Sequence, residues 1–317
     1  MMLNAGFIGA GRRAQGGHYP CVNRLGGATI VAVAELDENR MKQVVETYDI
    51  PRTFSDYRTM LNEVDLDVVY IIMGETFVTR PAIDCMNAGK HVFVEKPPGA
   101  NTNESQDLLN AAVRNNVYCM VGYQRRYTAV TQEAMRRVKE KGPATLAVGE
   151  FHKLLREGPG ATSTLWNDGC HVVDLVRYMV GSSVVEVHAY QDSHVSTWPN
   201  CYNGLIRFAS NAVGIVTANR SSGARYLRAE LHGLGVAAYM QIPERMEIYE
   251  DNSGPEILTG SQICGTDPND AMRYEGTLEM HSHFVQCIHN GETPCSDIRD
   301  VIQTSHLVDQ LEGLTHS

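Results

Sequence analysis

Residues 1–122 alternate short, nearly continuous apolar runs with longer segments in which apolar residues recur at helical spacing. The apolar runs predict strands at Leu3–Ile8, Thr29–Ala34, Val68–Ile72, His91–Val94 and Val117–Val121. The segments between them predict helices at Ala14–Leu25, Glu38–Tyr48, Ser55–Asn62, Phe77–Ala88 and Asn103–Asn115. Because strands and helices alternate strictly, and the strands are apolar on both faces, we expect a doubly wound parallel sheet covered by helices.

After Tyr123 the pattern changes to strand-like runs with few helices between them. Helices are predicted at Thr128–Lys141, Trp166–Val180, Tyr274–His289 and Asp297–Leu311. Strands are predicted at Ala144–Lys153, Val184–Tyr190, Gly204–Phe208, Val213–Ala218, Leu227–Leu231, Ala237–Ile242 and Met246–Tyr249. Consecutive strands of this kind predict an α+β domain with a large, open, mostly antiparallel sheet. We therefore expect two domains, 1–122 and 123–317.

Composition and charge disfavour some classes of binding partner and indicate a cellular compartment. The formal net charge of -10 disfavours nucleic acid and anionic membrane surfaces as partners. No apolar run approaches the roughly 18 residues that a membrane span needs, and the N-terminus lacks the pattern of a signal peptide. The eight cysteines are scattered without a C-x-x-C pair, which is typical of reduced thiols in a cytoplasmic protein.

A glycine-rich turn follows the first predicted strand. Gly9-x-Gly11-x-x-Ala14 combines a tight turn, a backbone open to close approach, and a small residue where helix and strand pack. The amides at the start of the next helix can then hold a pyrophosphate. The motif also occurs in ordinary strand-to-helix turns, so its assignment as a dinucleotide site depends on the residues around it.

An acidic residue at the end of the second predicted strand supports a dinucleotide site. Glu35 lies about 20 residues beyond the turn, where a carboxylate accepts hydrogen bonds from the adenosine ribose. It would repel a 2′-phosphate and so favours NAD, although Arg12 and Arg13 keep NADP as an alternative. Asp37 competes for this role, but its position is typical of a residue that starts the next helix.

A second motif, Glu95-Lys96-Pro97-Pro98, follows the predicted strand His91–Val94. Ligands of open α/β sheets bind at the carboxyl ends of the strands, which is where this order places Lys96. A lysine beside a nicotinamide cation would experience a lowered pKa and could assist proton transfer. The alternative is a solvated lysine that closes a strand.

Together these motifs resemble the glucose-fructose oxidoreductase / inositol dehydrogenase / rhizopine-catabolism (Gfo/Idh/MocA) family. The resemblance covers nearly the whole chain and includes Tyr123-Gln124-Arg125-Arg126-Tyr127 and a His-x-x-Asp helix at His171 and Asp174. It implies a Rossmann domain followed by a substrate-binding and oligomerisation domain. It also implies that Lys96 positions substrate and nicotinamide, that His171 is the catalytic histidine, and that Asp174 is a structural acid.

The sequence departs from the family pattern next to this histidine. The family has an aspartate four residues before the histidine, where this chain has Asn167. Asp168 is one residue later and would project about 100° away on a helix. Either the segment is looped and Asp168 partners His171, or Asn167 hydrogen-bonds the substrate. His171 itself suits the base that removes a hydroxyl proton near neutral pH.

The predicted site thus has three parts. The catalytic candidates are Lys96, His171, Asp168 and Asn167. The cofactor candidates are Gly9, Gly11, Arg12, Arg13, Ala14, Glu35, Glu95, Lys96, Pro97 and Arg126. The substrate candidates are Lys96, Tyr123, Lys153, Asn167 and His171, with Arg156 close to Lys153 in sequence. No metal is predicted, since His281 and His283 of the run His281-x-His283-x-x-x-Cys287-x-His289 would face about 200° apart on a helix.

The predicted function is an NAD(P)-dependent dehydrogenase acting on a secondary alcohol of a sugar, sugar derivative or cyclitol. One alternative is a glycoside-cleaving or internal-redox enzyme that recycles its NAD. Another is a dinucleotide-sensing regulator without catalysis, for which the missing aspartate at Asn167 is the one supporting feature. The open sheet needs a cover on its outer face, which predicts a homodimer or homotetramer.

Overall fold

The computed structural model describes residues 2–155, 158–194 and 196–313, and Arg156 lies outside these ranges. The chain divides into two compact units. The first comprises residues 1–122 and 277–302, and the second comprises residues 123–276 and 303–317. Each unit is built around its own sheet.

The first unit contains a six-stranded sheet with the strand order β3-β2-β1-β4-β5-β6. Its strands are β1 (Leu3–Ile8), β2 (Ala28–Ala34), β3 (Arg52–Phe54), β4 (Val68–Ile71), β5 (His91–Val94) and β6 (Cys119–Val121), all paired in parallel. Between them lie α1 (Tyr19–Arg24), α2 (Glu38–Tyr48), α3 (Tyr57–Glu63), α4 (Glu75–Asn87) and α5 (Thr102–Asn115). A π-helical turn, Ala14–His18, precedes α1. The predicted doubly wound domain is confirmed.

The second unit contains an eight-stranded sheet with the order β14-β13-β12-β11-β7-β10-β9-β8. Its strands are β7 (Leu146–Leu154), β8 (Val184–Asp192), β9 (Cys201–Phe208), β10 (Val213–Asn219), β11 (Ser221–Gly233), β12 (Val236–Gln241), β13 (Arg245–Glu250) and β14 (Ser253–Thr259). Its helices include α6 (Ala129–Lys141), α7 (Cys170–Val180), α8 (Gly260–Cys264) and α9 (Ala271–Tyr274), and a π-helical turn, Leu165–Gly169, leads into α7. Among the strands that the structure describes in this sheet, β10 and β7 alone pair in parallel, so the expected mostly antiparallel sheet is confirmed.

The chain ends with α10 (Thr277–Asn290) and α11 (Ile298–Leu311). The expectation that all of 123–317 belongs to the second domain needs correction, because residues 277–302 pack with the first unit. Phe284 of α10 lies against the rings of Tyr70 and Phe93. The Asp297 carboxylate accepts a hydrogen bond from the backbone N–H of Cys119 in β6. Apolar packing and this bond attach the segment to the parallel sheet. Among the described residues, no helix combines the length and apolar character of a membrane span.

Candidate active site

The glycine turn has the geometry that its sequence predicts. Gly9 adopts a φ of 100°, a left-handed conformation that favours glycine. A Cβ at this position would stand 2.5 Å from the carbonyl oxygen of Ile72, which follows β4. A Cβ at Gly11, in contrast, would project into open space, so the backbone there is accessible. The turn therefore packs tightly against the sheet at Gly9 and is open at Gly11.

Glu35 is held beside this turn by backbone amides. One carboxylate oxygen accepts the N–H of Ala10 at 2.6 Å, and the other accepts the N–H groups of Leu36 and Asp37 at 2.8 and 3.0 Å. The Asp37 side chain instead caps α2 by accepting the amides of Asn39 and Arg40. Asp37 therefore starts the next helix, as its position predicted, and Glu35 is the carboxylate at the end of β2.

Glu95 is a buried carboxylate that holds together several groups of the first unit. Its Oε1 accepts Arg13 Nε and His18 Nε2, each at 2.7 Å, and its Oε2 accepts the backbone N–H of Lys96 at 3.0 Å. Burial alone would raise the pKa of Glu95, but the His18 hydrogen bond and the charge of Arg13 hold it well below its usual range. Glu95 thus stays ionised and fixes the lysine turn to the glycine turn.

A second histidine extends this arrangement. His18 Nδ1 lies 2.9 Å from Nε2 of His281 on α10, and both side chains are fully buried. Since His18 Nε2 must carry the proton that Glu95 accepts, a neutral His18 accepts at Nδ1 from the N–H of His281. Burial lowers the pKa of both histidines, so this neutral arrangement is favoured. We call Glu95, His18 and His281 the buried relay.

The parallel sheet brings the candidate residues of the first unit to one edge. Gly9 follows β1, Glu35 follows β2, and Lys96 follows β5, and the carboxyl ends of parallel strands share an edge. Lys96 is half-buried, and its peptide bond to the buried Pro97 is cis. The strand order reverses at β1, which has β2 on one side and β4 on the other, and dinucleotides bind at such a point.

These residues fit a dinucleotide. The open space at Gly11 is the kind of cradle that a Cβ would fill, and the small Ala14 is completely buried. Arg12 is exposed, whereas Arg13 is tied through Nε to Glu95. Glu95 is a positioning residue in this structure, because its carboxylate binds Arg13, His18 and the Lys96 amide; its contact with the cofactor stays a prediction.

His171 lies in the second unit, near the start of α7. Its side chain is mostly buried, with the rings of Tyr123 and Phe151 presenting edges to it at centroid distances of 6.2 and 6.4 Å. The helix approaches β7 closely, because a Cβ at Gly149 would stand 2.4 Å from Cγ2 of Val172. Tyr123 was a predicted substrate residue, but it is buried, and burial raises the pKa of its phenol well above the usual range. It packs beside His171.

The acid next to His171 has partners of its own. Asp168 Oδ2 lies 2.6 Å from Nζ of Lys153 and 3.4 Å from Nη2 of Arg220. Asp168 thus forms an ion pair with Lys153, a predicted substrate residue. The pairing of Asp168 with His171 and the alternative substrate contact of Asn167 both stay predictions. Asn167 lies in the π-helical turn, half-buried, with its backbone N–H bound to Ser163.

Arg126 requires a correction. It was expected to contact the cofactor, but its side chain is completely buried and forms two hydrogen bonds to Asp174, at 2.8 and 2.5 Å. Thr304 donates a further hydrogen bond to Asp174. The planar guanidinium matches the carboxylate in a bidentate pair, so Arg126 anchors α7 within the second unit. Asp174 has the structural role that the resemblance implied.

Comparisons with known proteins agree with this architecture. The sequence profile of the oxidoreductase family with an NAD-binding Rossmann fold, Gfo/Idh/MocA, matches residues 3–123. The profile of the GFO/IDH/MocA C-terminal domain matches residues 146–237. The chain belongs to the Gfo/Idh/MocA family. It is accordingly an oxidoreductase with an NAD-binding Rossmann domain, and the predicted cofactor, NAD, is confirmed.

Individual relatives of this Gfo/Idh/MocA protein are distant. An NAD⁺-dependent scyllo-inositol 2-dehydrogenase from Bacillus subtilis is 24% identical over 323 residues, covering 96% of this chain and 91% of the relative. Among solved structures, a dehydrogenase from Chromobacterium violaceum superposes with a TM-score of 0.90 at 19% identity, covering 98% and 95% of the two chains. Levoglucosan dehydrogenase with NADH and levoglucosan has a TM-score of 0.86 at 21% identity, covering 99% and 97%. The structural matches show the fold.

The metal-like run of this Gfo/Idh/MocA chain makes other contacts. His281 belongs to the buried relay, while His283 lies 3.5 Å from Sγ of Cys287 and accepts the backbone N–H of Cys295. Within the described ranges, no three histidine, cysteine or acidic side chains form a group that could hold a metal.

Three residues of the site were not identified from the sequence. His18 belongs to no sequence motif, His281 stands out in the sequence only within the metal-like run, and Arg220 lies just before a strand without any motif. The one available signal was Glu95, because a carboxylate directly after a buried strand requires a cation or donor. Sequence spacing does not indicate which residue supplies it.

Proposed function

We propose that this protein is an NAD-dependent dehydrogenase that oxidises a secondary alcohol of a sugar, sugar derivative or cyclitol to the ketone. The observation that carries the proposal is the fixed lysine turn: Glu95 binds both the Lys96 amide and Arg13 of the glycine turn. Lys96 therefore has a defined place at the edge of the sheet where the NAD-binding domain takes its cofactor. The names of the inositol and levoglucosan dehydrogenases support the substrate class.

The proposed chemistry separates a hydride and a proton. When bound, NAD would supply the acceptor for the hydride that leaves the carbinol carbon. His171 takes the hydroxyl proton, because imidazole is the side chain best suited to act as a general base near neutral pH. Lys96 donates a hydrogen bond to the same oxygen and stabilises the negative charge that develops on it. Gly9, Gly11, Ala14 and Glu35 hold the dinucleotide, with Glu35 favouring NAD over NADP.

The test is reduction of NAD by the purified chain with a panel of inositols, sugars and anhydrosugars, followed by the absorbance of the reduced nicotinamide. Lys96→Ala should lower turnover by about 10²-fold or more while leaving the Kd for NAD nearly unchanged. His171→Asn should have a similar effect on turnover. Lys90→Ala is the matched control, because Lys90 precedes β5 at the opposite edge of the sheet and lies 3.8 Å from Asp65.

The assay separates the rival functions. An enzyme that recycles its cofactor would convert substrate with catalytic amounts of NAD and accumulate no reduced form. A regulator would bind NAD and turn over none of the panel. If Lys96→Ala and Lys90→Ala have equal activity, Lys96 has no part in the reaction.

A further inference from the structure

Two arginines of the second unit lie over the ring of Phe151, and a lysine lies two residues further along the same strand. The guanidinium carbons of Arg220 and Arg225 lie 4.9 and 5.1 Å from the ring centroid. Lys153 follows Phe151 by two residues on β7 and so lies on the same side of the strand. We call Lys153, Arg220 and Arg225 the basic cluster. In the described parts of the chain, Asp168 is the only carboxylate that forms an ion pair with it.

Arg220 is the innermost member of the basic cluster. Its side chain is completely buried, and its Nη1 donates to the carbonyl oxygen of Phe151 at 2.6 Å. Neither Nε nor Nη2 has a hydrogen-bond partner among the described residues. Burial lowers the pKa of this guanidinium, and the Asp168 charge opposes that shift. A buried cation adds positive potential to its surroundings, and donors without hydrogen-bond partners among the described residues leave that charge only partly compensated.

A bulge in β11 directs Arg225 toward the same ring. Ser221 pairs with Leu154 and Tyr226 pairs with His152, so residues 222–225 have no pairing partners on β7. Such bulges bend a strand and redirect its side chains, commonly beside active sites. Here the exposed Arg225 lies over Phe151 as a result. The cluster therefore has a buried cation in Arg220 and two accessible ones in Lys153 and Arg225.

The basic cluster adjoins the proposed catalytic base. Phe151 contacts both the cluster and the His171 ring, and Asp168 precedes His171 on the segment that leads into α7. Three cations facing one carboxylate leave a local excess of positive charge in a chain whose formal net charge is -10. The net negative charge of the chain would repel an anion, whereas the local positive charge of the basic cluster would attract one.

We propose that the basic cluster binds an anionic group of the substrate, so that the alcohol being oxidised belongs to an acidic polyol. This inference rests on the proposed function. A carboxylate, as in an aldonic or uronic acid, and a phosphate monoester are the two sources of such an anion. Lys153 and Arg225 contact it directly, Arg220 adds charge from beneath, and Asp168 keeps the Lys153 ammonium in place. The anion then holds the substrate beside His171.

Calorimetric titration of ligands into the NADH-loaded protein tests this assignment. The ligands are gluconate, glucose 6-phosphate and the neutral glucitol. We expect at least one anionic ligand to bind about tenfold or more tightly than glucitol, and the tighter anion identifies its source. Arg225→Gln should abolish this preference. Arg228→Gln, on the same strand but paired with Glu150 and Glu230, should retain it.

The outcomes distinguish this inference from the proposed function. Equal affinity for glucitol and both anions, or a preference that survives Arg225→Gln, would overturn the acidic-polyol assignment. Reduction of NAD with neutral polyols alone would also overturn it, while the dehydrogenase function would stand. Binding of an anion that depends on Arg225, without NAD reduction by any polyol, would support the anionic subsite and refute the dehydrogenase function.

Discussion

Glu95 determines the positions of several groups that the sequence presents as unrelated. Its carboxylate connects Arg13 of the glycine turn, His18 of the first helical segment, and the lysine turn. The sequence indicates Gly9, Glu35 and Lys96 as candidates for ligand contact, because these candidates are marked by local motifs and spacing. It did not predict the buried relay, since His281 is distant in the chain and meets His18 only through folding.

The buried relay predicts an acid-sensitive first unit. Burial holds the pKa of His18 and of His281 below the ordinary value of 6.5. A depressed pKa means that the unfolded chain binds protons more readily, so stability is full above 6.5 and declines as the pH falls through the lower folded-state values. Between its folded-state pKa and 6.5, each histidine then lowers the free energy of unfolding by up to about 1.4 kcal/mol for each pH unit of acidification.

His281→Phe should reduce this loss, because one of the two titrating groups is absent. The measurement is urea unfolding followed by circular dichroism at several values between about pH 5 and pH 8. The variant will be less stable at neutral pH, since His18 loses its donor, but the informative quantity is the slope against pH. His188→Phe, which changes an exposed histidine on β8, is the control. An unaltered slope in His281→Phe would contradict the role of the pair.

At the level of elements, the sequence pattern predicted most strands and helices but missed several short or irregular features, among them α8 and α9. The pattern does not predict strand β3, because this strand has only three residues and two of them are exposed. The exposed strand β14 contains Pro255 and lacks clear alternation. The π-helical turns at Ala14–His18 and Leu165–Gly169 are not distinguished from continuous helix by the sequence pattern, because an inserted residue hardly changes the apolar period. Both turns carry residues of the candidate site.

The strand-to-helix turn at Gly9 supplies a prediction at this level. Gly9→Ala should destabilise the protein by about 1–3 kcal/mol, because the new Cβ meets the Ile72 carbonyl and φ is left-handed. NAD binding should weaken at least tenfold as the turn shifts. Calorimetric titration with NAD and thermal unfolding measure the two effects.

Gly26→Ala provides the matched control for this turn. Gly26 precedes β2 at the other edge of the parallel sheet, and a Cβ there has nothing within 4 Å. Its effect on stability should stay within about 0.5 kcal/mol, with the Kd for NAD unchanged. If both alanine variants bind NAD like the wild type, the conformation of Gly9 is not required for the cofactor.

For the whole molecule, the pattern indicated two domains but not the assignment of the last helices. The amphipathic face of α10 shows that it covers a sheet, yet the same face would suit either sheet. Its place with the first unit follows from tertiary contacts such as Phe284 with Tyr70 and Phe93. Packing of this kind is specified by side-chain shape, which a single sequence does not reveal.

The outer face of the eight-stranded sheet bears on the assembly of the whole molecule, because it exposes large apolar side chains. Leu205 and Ile215 are direct cross-strand neighbours on β9 and β10, with 50% and 37% of their surfaces exposed. Val185, Tyr239 and Ile257 on other strands are also exposed. A second copy of the chain is the partner that such a face predicts, since symmetric association pairs identical surfaces.

Light scattering coupled to size exclusion should therefore give a mass of two or four times the 35.0 kDa of one chain. Leu205→Lys should shift the protein toward the monomer, because the charge would be buried without a partner in the interface. Val113→Lys, at a comparably exposed apolar position on α5, should leave the mass unchanged because that residue belongs to the first unit and not to this sheet. A wild-type protein that elutes as a monomer, or a Leu205→Lys variant that keeps the full assembly, would contradict association through this face.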